Sequence, residues 1–236
     1  MTLAPGSADI IQLAWARRLG LDDGAFAAAA GRRLTRANDA ARSVQFVRLF
    51  GSSALVGPQW ALDAAAGYSD EELAQHLTLL TITRDHGGHG LGAAALFFAD
   101  DLPLQQPSEE LTVSLGNPEA IELEALCPPD DVNEVGLSDL EHRFTIMHVE
   151  DGRRTPVACG AYTEWEGILA QLGVLVAPEW RRRGVGTLAA SIAAHEALAS
   201  GLTLQWRSDV SNKGSLALAR KLGFTAGGIQ TSVLLG

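Results

Sequence analysis

The stretch Trp180-Arg181-Arg182-Arg183-Gly184-Val185-Gly186-Thr187 sets three fixed cations and two glycines between two apolar segments. Before it, Leu172-Gly173-Val174-Leu175-Val176-Ala177 has the composition of a buried strand and is closed by Pro178. After it, residues 185–200 are Ala-rich and Pro-free, as a helix requires. The turn therefore ends on a helix N-terminus, where backbone N–H groups point outward without intrahelical partners and the helix dipole is positive. Glycine lets a ligand approach that backbone without meeting a Cβ. Such residues can bind an anion, and a pyrophosphate site over Arg181, Arg182, Arg183, Gly184, Val185, Gly186 and Thr187 is the first expectation. A Gly-containing Arg turn is also what a solvated loop looks like, so the surrounding elements must decide.

Other side chains could move protons. Glu164 and Glu166 flank Trp165 near a hairpin; at a spacing of two they would share a strand face and one could act as base, although solvated hairpin acids look the same. Asp209 follows an apolar strand and is either a site residue or a turn cap before Asn212. Ser215 could donate to a ligand, or could be an ordinary first-turn serine. His195 lies on the stripe Leu188, Ile192, His195, Ala199 and is expected to be packed and hydrogen-bonded. His86 and His89 sit in a glycine turn with no carboxylate or thiol pattern to complete a metal site, so no metal is expected. Cys127 and Cys159 form no Cys-x-x-Cys pair and are expected to be small packed residues. Trp60, Trp165 and Trp206 fit core or cleft wall better than recognition platforms.

The elements that must position these groups fall in two portions. Of 236 residues, 47% are hydrophobic, enough for one large domain or two small ones. The segment from Asp100 to Glu110, with two prolines and several acids, is the natural linker, giving domains 1–105 and 106–236. Before it, Ser7 is a candidate N-cap for a helix ending near Gly20, with Ile11, Ala14 and Trp15 on its apolar face; a second helix over about 22–30 stops at Gly31. The segment 32–43 is ambiguous. Two strands, Val44 to Phe50 and Ala54 to Val56, precede a short helix opened by Pro58. Ser69-Asp70-Glu71-Glu72 is a capping box for a helix running to about Ile82. Leu91 to Ala99 has strand length.

After the linker come a strand at Leu111–Leu115 and a helix from Pro118 to Leu126 with Asn117 as N-cap. Partial helix at 130–140 and strands at 144–149, 157–165 and 169–177 follow. The Arg turn and its helix, a strand at 202–206, a helix from near Asn212 to Gly223 and a strand at 229–235 complete the order. That is an α/β chain with a mixed sheet, antiparallel in its middle.

With 28 acidic against 18 basic residues and a net charge of −10, a general nucleic-acid binder is disfavoured. No apolar run approaches the roughly 18 residues that span a bilayer, and the N-terminus lacks a basic region before an apolar core. A cytoplasmic protein without nucleic-acid or membrane partners is expected.

Three parts in order give a specific likeness. The strand ending Leu175-Val176-Ala177-Pro178 comes first. Arg181-Arg182-Arg183-Gly184-Val185-Gly186 fits the pattern Gln/Arg-x-x-Gly-x-Gly/Ala. About 26 residues further on, Asn212 to Phe224 is similar to the helix Asn-x-x-Ala-x-x-Leu-Tyr-x-Lys-x-Gly-Phe. Over about 108–236 the chain resembles the GNAT acyltransferase superfamily. The resemblance implies a GNAT-like C-terminal domain transferring an acetyl group from acetyl-CoA directly to an amine on a small molecule or peptide. It implies that Arg181 to Thr187 hold the coenzyme A diphosphate, that Val174, Leu175 and Val176 offer backbone groups to the pantetheine arm and thioester, and that Asn212 helps hold the arm. The arm would run where the strand at 172–177 splays from that at 202–207.

The sequence departs from the family where protons move. Ala219 stands where a tyrosine often protonates the leaving thiolate, and Ala170 and Leu172 stand where a Glu or His base often lies. A non-catalytic coenzyme A-binding or regulatory module is the alternative this raises. The N-terminal portion carries no such motif; its element order admits a degenerate copy of the same fold.

Overall fold

The structure is a computed structural model that describes residues 2–29, 31–105 and 110–236. In chain order the elements are α1 (Ser7–Arg18), α2 (Ala25–Ala28), β1 (Leu34–Ala37), β2 (Ser43–Leu49), β3 (Ser52–Gly57), α3 (Gln59–Ala65), α4 (Asp70–Leu73), α5 (His76–Thr83) and β4 (His89–Ala99). They continue with β5 (Leu111–Ser114), α6 (Asn117–Ala125), α7 (Pro129–Val135), β6 (His142–Glu150), β7 (Arg153–Trp165), β8 (Leu169–Val176), α8 (Val185–Ala199), β9 (Thr203–Asp209), α9 (Lys213–Leu222) and β10 (Thr225–Leu234). The chain is mixed α/β, with parallel and antiparallel pairings.

Two compact units are present. One, the C-terminal unit, is built mainly of Phe98–Trp206 and Ala217–Thr225; the other, the N-terminal unit, of Ala4–Phe97, Arg207–Leu216 and Ala226–Gly236. The units interleave in sequence. Within the linker expected at Asp100 to Glu110, residues 106–109 lie outside those described.

In the N-terminal unit the strand order is β1-β3-β2-β10-β4. The ambiguous segment 32–43 contains β1, paired parallel to β3. The β2–β3 hairpin turns at Phe50 and Gly51, both at positive φ, which suits the twist of the strands. Val44, Phe46, Leu55, Leu73, Leu79 and Val233 close its core. Three helix boundaries depart from expectation. Gly6, at φ +88, is the N-cap of α1, and Ser7 is already helical because a turn from Ala4 O to Ser7 N sets the entry. The second helix spans four residues rather than 22–30, of which residue 30 lies outside those described. The capping box forms, with Ser69 Oγ accepting from Glu72 N and Glu72 accepting from Ser69 N. Its helix nevertheless stops at Leu73, and a second begins after Gln75, whose extended backbone (ψ 125) breaks the run to Ile82. Ile11, Ala14 and Trp15 are buried as the stripe predicts.

In the C-terminal unit the order is β9-β8-β7-β6-β5. β6, β7 and β8 form an antiparallel meander, and β8 pairs parallel to β9 from Leu169↔Thr203 to Leu172↔Trp206. Helix α6 begins at Asn117 with Gly116 as N-cap, so Pro118 occupies its first turn and Asn117 is inside the helix rather than capping it. Cross-strand neighbours share a face, so Ala158, Gly160, Tyr162, Leu172, Val174 and Val176 line one side of β7–β8. That side carries α8, with Ile146, Val157, Ala158, Val185, Leu188 and Ala189 in its core. The opposite side, with Cys159, Ala161 and Leu175, carries Leu123 of α6 together with Leu137 and Leu140.

Helix α8 forms because alanine is the strongest helix former and nothing in 185–199 interrupts it. Its small side chains let it lie close to the sheet. At Gly160 of β7 an added Cβ would come within 2.0 Å of Ala189 O, with Ala193 Cβ at 3.2 Å. Gly160→Val is therefore expected to destabilise the fold by about 3 kcal/mol or more, an overpacking cost against backbone that cannot yield. Gly214→Ala, in α9 with only Asn212 Oδ1 near at 3.6 Å, should be neutral or stabilising by up to about 1 kcal/mol. Urea denaturation of the two variants checks both signs.

Candidate functional site

The alternation of β8 settles which backbone groups point where. Thr203 N donates to Ile168 O at 2.9 Å and Ala177 N donates to Val157 O at 3.0 Å. Because side chains and peptide groups alternate along a strand, even-numbered residues of β8 direct N–H and C=O toward β9, and odd-numbered residues direct theirs toward β7. Pairing with β9 ends at Leu172↔Trp206, while β8 continues to Val176. The backbone groups carried past the paired rungs on that edge are those of Val174 and Val176. Leu175, expected to share this role, directs its peptide groups to Cys159 of β7 and buries its side chain.

The chain then turns through Pro178–Trp180, one turn of 3-10 helix, into the Arg loop. Arg181 N donates to Pro178 O at 3.3 Å, so its N–H is already used. Its guanidinium is used too: Nη2 is 2.5 Å from Asp131 Oδ2, and Nε donates to Val176 O at 3.3 Å. Arg182 sits at φ +63 and Gly184 at φ +88. The first intrahelical bond of α8 runs from Leu188 N to Gly184 O at 3.1 Å. Among the described residues, no backbone acceptor pairs with the N–H of Arg182, Arg183, Gly184, Val185, Gly186 or Thr187. These N–H groups stand at the positive end of a 15-residue helix, a geometry that favours an anion.

The charge around this turn is distributed unequally. Arg183 lies over the Trp180 ring, 5.1 Å from guanidinium carbon to ring centroid, a contact worth about 0.5–1 kcal/mol at an exposed position. The Trp180 ring also meets that of His148, at 4.6 Å between centroids. Lys221 of α9 reaches the first turn of α8, donating from Nζ to Thr187 Oγ1 at 3.3 Å. Lys221 lies within the Asn212 to Phe224 motif but has no expected role of its own, and nothing in the local pattern marks Asp131, fifty positions before its partner.

Gly186 and Gly184 differ. A Cβ on Gly186 would lie 3.0 Å from Val176 Cγ2, so this glycine is needed for packing α8 against β8 as well as for access. Gly184 has nothing within 4 Å, and its requirement is the left-handed backbone alone.

The proton-transfer candidates fall in different elements. Glu164 is the exposed partner of Ala170 near the start of β8, and the Arg loop follows the other end of that strand. Glu166 is not in the strand: with Gly167 it forms the tight turn of the β7–β8 hairpin, at φ +57 and +66, closed by Ile168 N to Trp165 O. The two glutamates therefore do not share a strand face, because the turn reverses the chain between them. Asp209, Asn212 and Ser215 lie in the segment 207–216 of the N-terminal unit. There Asp209 Oδ1 accepts from Ser211 N at 2.8 Å and Ser211 Oγ at 2.5 Å. Asn212 Oδ1 accepts from Ser215 N at 2.9 Å, capping α9. Ala170 and Ala219 are fully buried, and Leu172 nearly so.

The remaining candidates have structural settings. His195 Nε2 is buried without a hydrogen-bond partner among the described residues, so the expected bond is not made there. His86 stacks on Trp60 at 3.5 Å and His89 Nδ1 is 2.8 Å from Gly87 O. Cys159 is buried in β7 and Cys127, half-buried, has Sγ 3.7 Å from Val176 O. Burial pushes both thiols above the ordinary cysteine range.

Residues 118–224, a little under half of the chain, match the model of the Acetyltransferase (GNAT) family. No curated protein matches the chain. Among solved structures, a Drosophila protein shares 18% identity at a TM-score of 0.51, over 66% of this chain and 55% of that one. A GCN5-related N-acetyltransferase from Kribbella flavida shares 21% identity at 0.46, over 66% and 63%. A tandem GNAT protein from the clavulanic acid biosynthesis pathway shares 14% at 0.42, over 65% and 56%. Each of these matches spans less than two thirds of the neighbour's length. Among the described residues, no helix is long and apolar enough to cross a membrane.

Because raised thiol pKa values leave little thiolate at neutral pH, a thiol reagent at pH 7 is expected to label Cys127 slowly and Cys159 only after unfolding. Raising the pH above 9 should speed the Cys127 reaction. Rapid labelling of Cys159 in the folded protein would contradict the packing of β7.

Proposed function

We propose that the C-terminal unit binds acetyl-coenzyme A through the N–H groups of Arg182 to Thr187 and transfers the acetyl group directly to an amine. The observation that carries this reading is the run of outward N–H groups at the start of α8, next to the edge of β8 that continues past its pairing with β9. The diphosphate would accept hydrogen bonds from the loop, with Arg182 and Lys221 as nearby cations. The pantetheine arm would lie along the edge formed by Val174 and Val176, where strand-like N–H and C=O groups match its amides. Val176 N–H is then a donor for the thioester oxygen as it gains charge. Acetyl-coenzyme A supplies the activated acyl group; the chain's part is to hold it, orient it and exclude water.

The acceptor amine must lose a proton and the thiolate must gain one. Ala170, Leu172 and Ala219 are buried and cannot titrate, so on this reading those steps fall to groups elsewhere or to water. The same three residues favour a second reading, a coenzyme A-binding regulatory module without turnover. A small-molecule or peptide amine, no nucleic acid and no membrane, the cytoplasm as compartment and separate roles for 1–105 and 106–236 belong to the same proposal.

Calorimetry with acetyl-coenzyme A tests both readings, and absence of binding would sink both. Thioester consumption across an amine panel then separates them. Gly184→Val is the sharper variant: a β-branched residue at φ +88 costs about 1–2 kcal/mol of backbone strain in the turn that carries the N–H groups. Coenzyme affinity is expected to fall by about tenfold or more. Equal affinity in a folded Gly184→Val protein would remove the loop from the site.

A further inference from the structure

We infer that Asp131 is a positioning residue for the coenzyme loop, acting through Arg181; this rests on the acetyl-coenzyme A reading above. Asp131 lies in the first turn of α7, outside every motif that carries the family likeness. Its Oδ2 is 2.5 Å from Arg181 Nη2, while Arg181 Nε donates to Val176 O at 3.3 Å. One planar guanidinium thus ties three segments together: α7, the end of β8 and the first residue of the loop. The thiol of Cys127, between α6 and α7, lies against the same Val176 carbonyl at 3.7 Å. Arg181 is also fixed through its backbone, N–H to Pro178 O. The residue after it turns into the left-handed region, and the outward N–H groups follow.

This arrangement assigns the first arginine of the motif a different task from its neighbours. A guanidinium neutralised by a carboxylate, with Nε already donating, is a poor counter-ion for a diphosphate. A carboxylate beside an anion site would by itself repel the ligand; paired to Arg181 its field is cancelled. What the pair contributes is order: it holds the base of the loop so that the N–H groups from Arg182 to Thr187 are presented together. The contact also occupies the carbonyl of Val176, leaving its N–H as the strand-edge group at that residue. Both side chains are partly exposed, 44% for Arg181 and 36% for Asp131, so the pair is a weak element of global stability and its loss should be felt locally.

The test is calorimetry with acetyl-coenzyme A on the full chain, as wild type, Asp131→Asn and Asp131→Glu, with melting temperatures recorded alongside. Asp131→Asn is expected to weaken binding about fivefold with an unchanged melting temperature, and Asp131→Glu to restore affinity to within about twofold. Arg181→Lys, which keeps the charge but cannot bridge carboxylate and carbonyl, should behave like Asp131→Asn. Unchanged affinity in Asp131→Asn overturns the inference. So does a loss that follows the melting temperature in all three variants, which would mark the pair as scaffold only. Tighter binding in Asp131→Asn overturns it as well, by making Arg181 a phosphate ligand held back by Asp131. If the wild type itself does not bind, the coenzyme reading fails first and this inference with it.

Discussion

The seating of α8 on β7 is the constraint on which the candidate site depends. Where Gly160 faces Ala189, helix backbone and strand are close enough that no Cβ fits between them. Only a strand glycine opposite a helix of small residues allows this. That contact fixes where the helix starts, and Gly186 against Val176 fixes it again at the first turn. An anion site made of peptide N–H groups has no side-chain adaptability. Its geometry is that of the helix end, so the tight packing behind it preorganises the donors in front.

Electrostatics adds selection to that scaffold. The chain is acidic overall, so an anion is attracted only by local arrangement. Of the three consecutive arginines, Arg181 is paired with Asp131 and Arg183 lies over Trp180. Composition alone counts three equal cations; in the structure two of them are engaged with the protein itself. Lys221, arriving from α9, brings positive charge to Thr187 from an element distant in sequence. On the coenzyme A reading, the helix dipole and the N–H groups would be the main terms, with Arg182 and Lys221 as supplements.

What was legible in the sequence follows from range. The strand before Pro178, the helix over 185–199, the stripe Ile11, Ala14, Trp15 and the capping box at Ser69 depend on residues a few positions apart, and each appears. Helix caps were displaced by one residue at Ser7 and Asn117, because the adjacent glycines took the cap backbone. Period-two spacing puts Glu164 and Glu166 on one face only while both are in a strand, and Glu166 instead takes a left-handed turn backbone. The direction of Leu175 could not be read from an apolar run, since it depends on the register with β7. Asp131 and Arg181 meet only through the packing of α7 on β8, which no local pattern encodes.

The contrast between binding and chemistry has a physical origin. Holding a coenzyme needs backbone groups and a helix end, which ask for small residues at the packing contacts but for no titratable side chain. Moving protons needs titratable side chains at set distances, and Ala170, Leu172 and Ala219, which stand where the resemblance leads one to expect them, are buried hydrocarbon. For acetyl transfer, buried hydrocarbon at these positions would disfavour a charged amine beside it, and the acceptor would have to shed its proton to water or to its own neighbouring groups. On the acetyl-transfer reading, a low amine pKa would do more to select the acceptor than a side-chain base on β8.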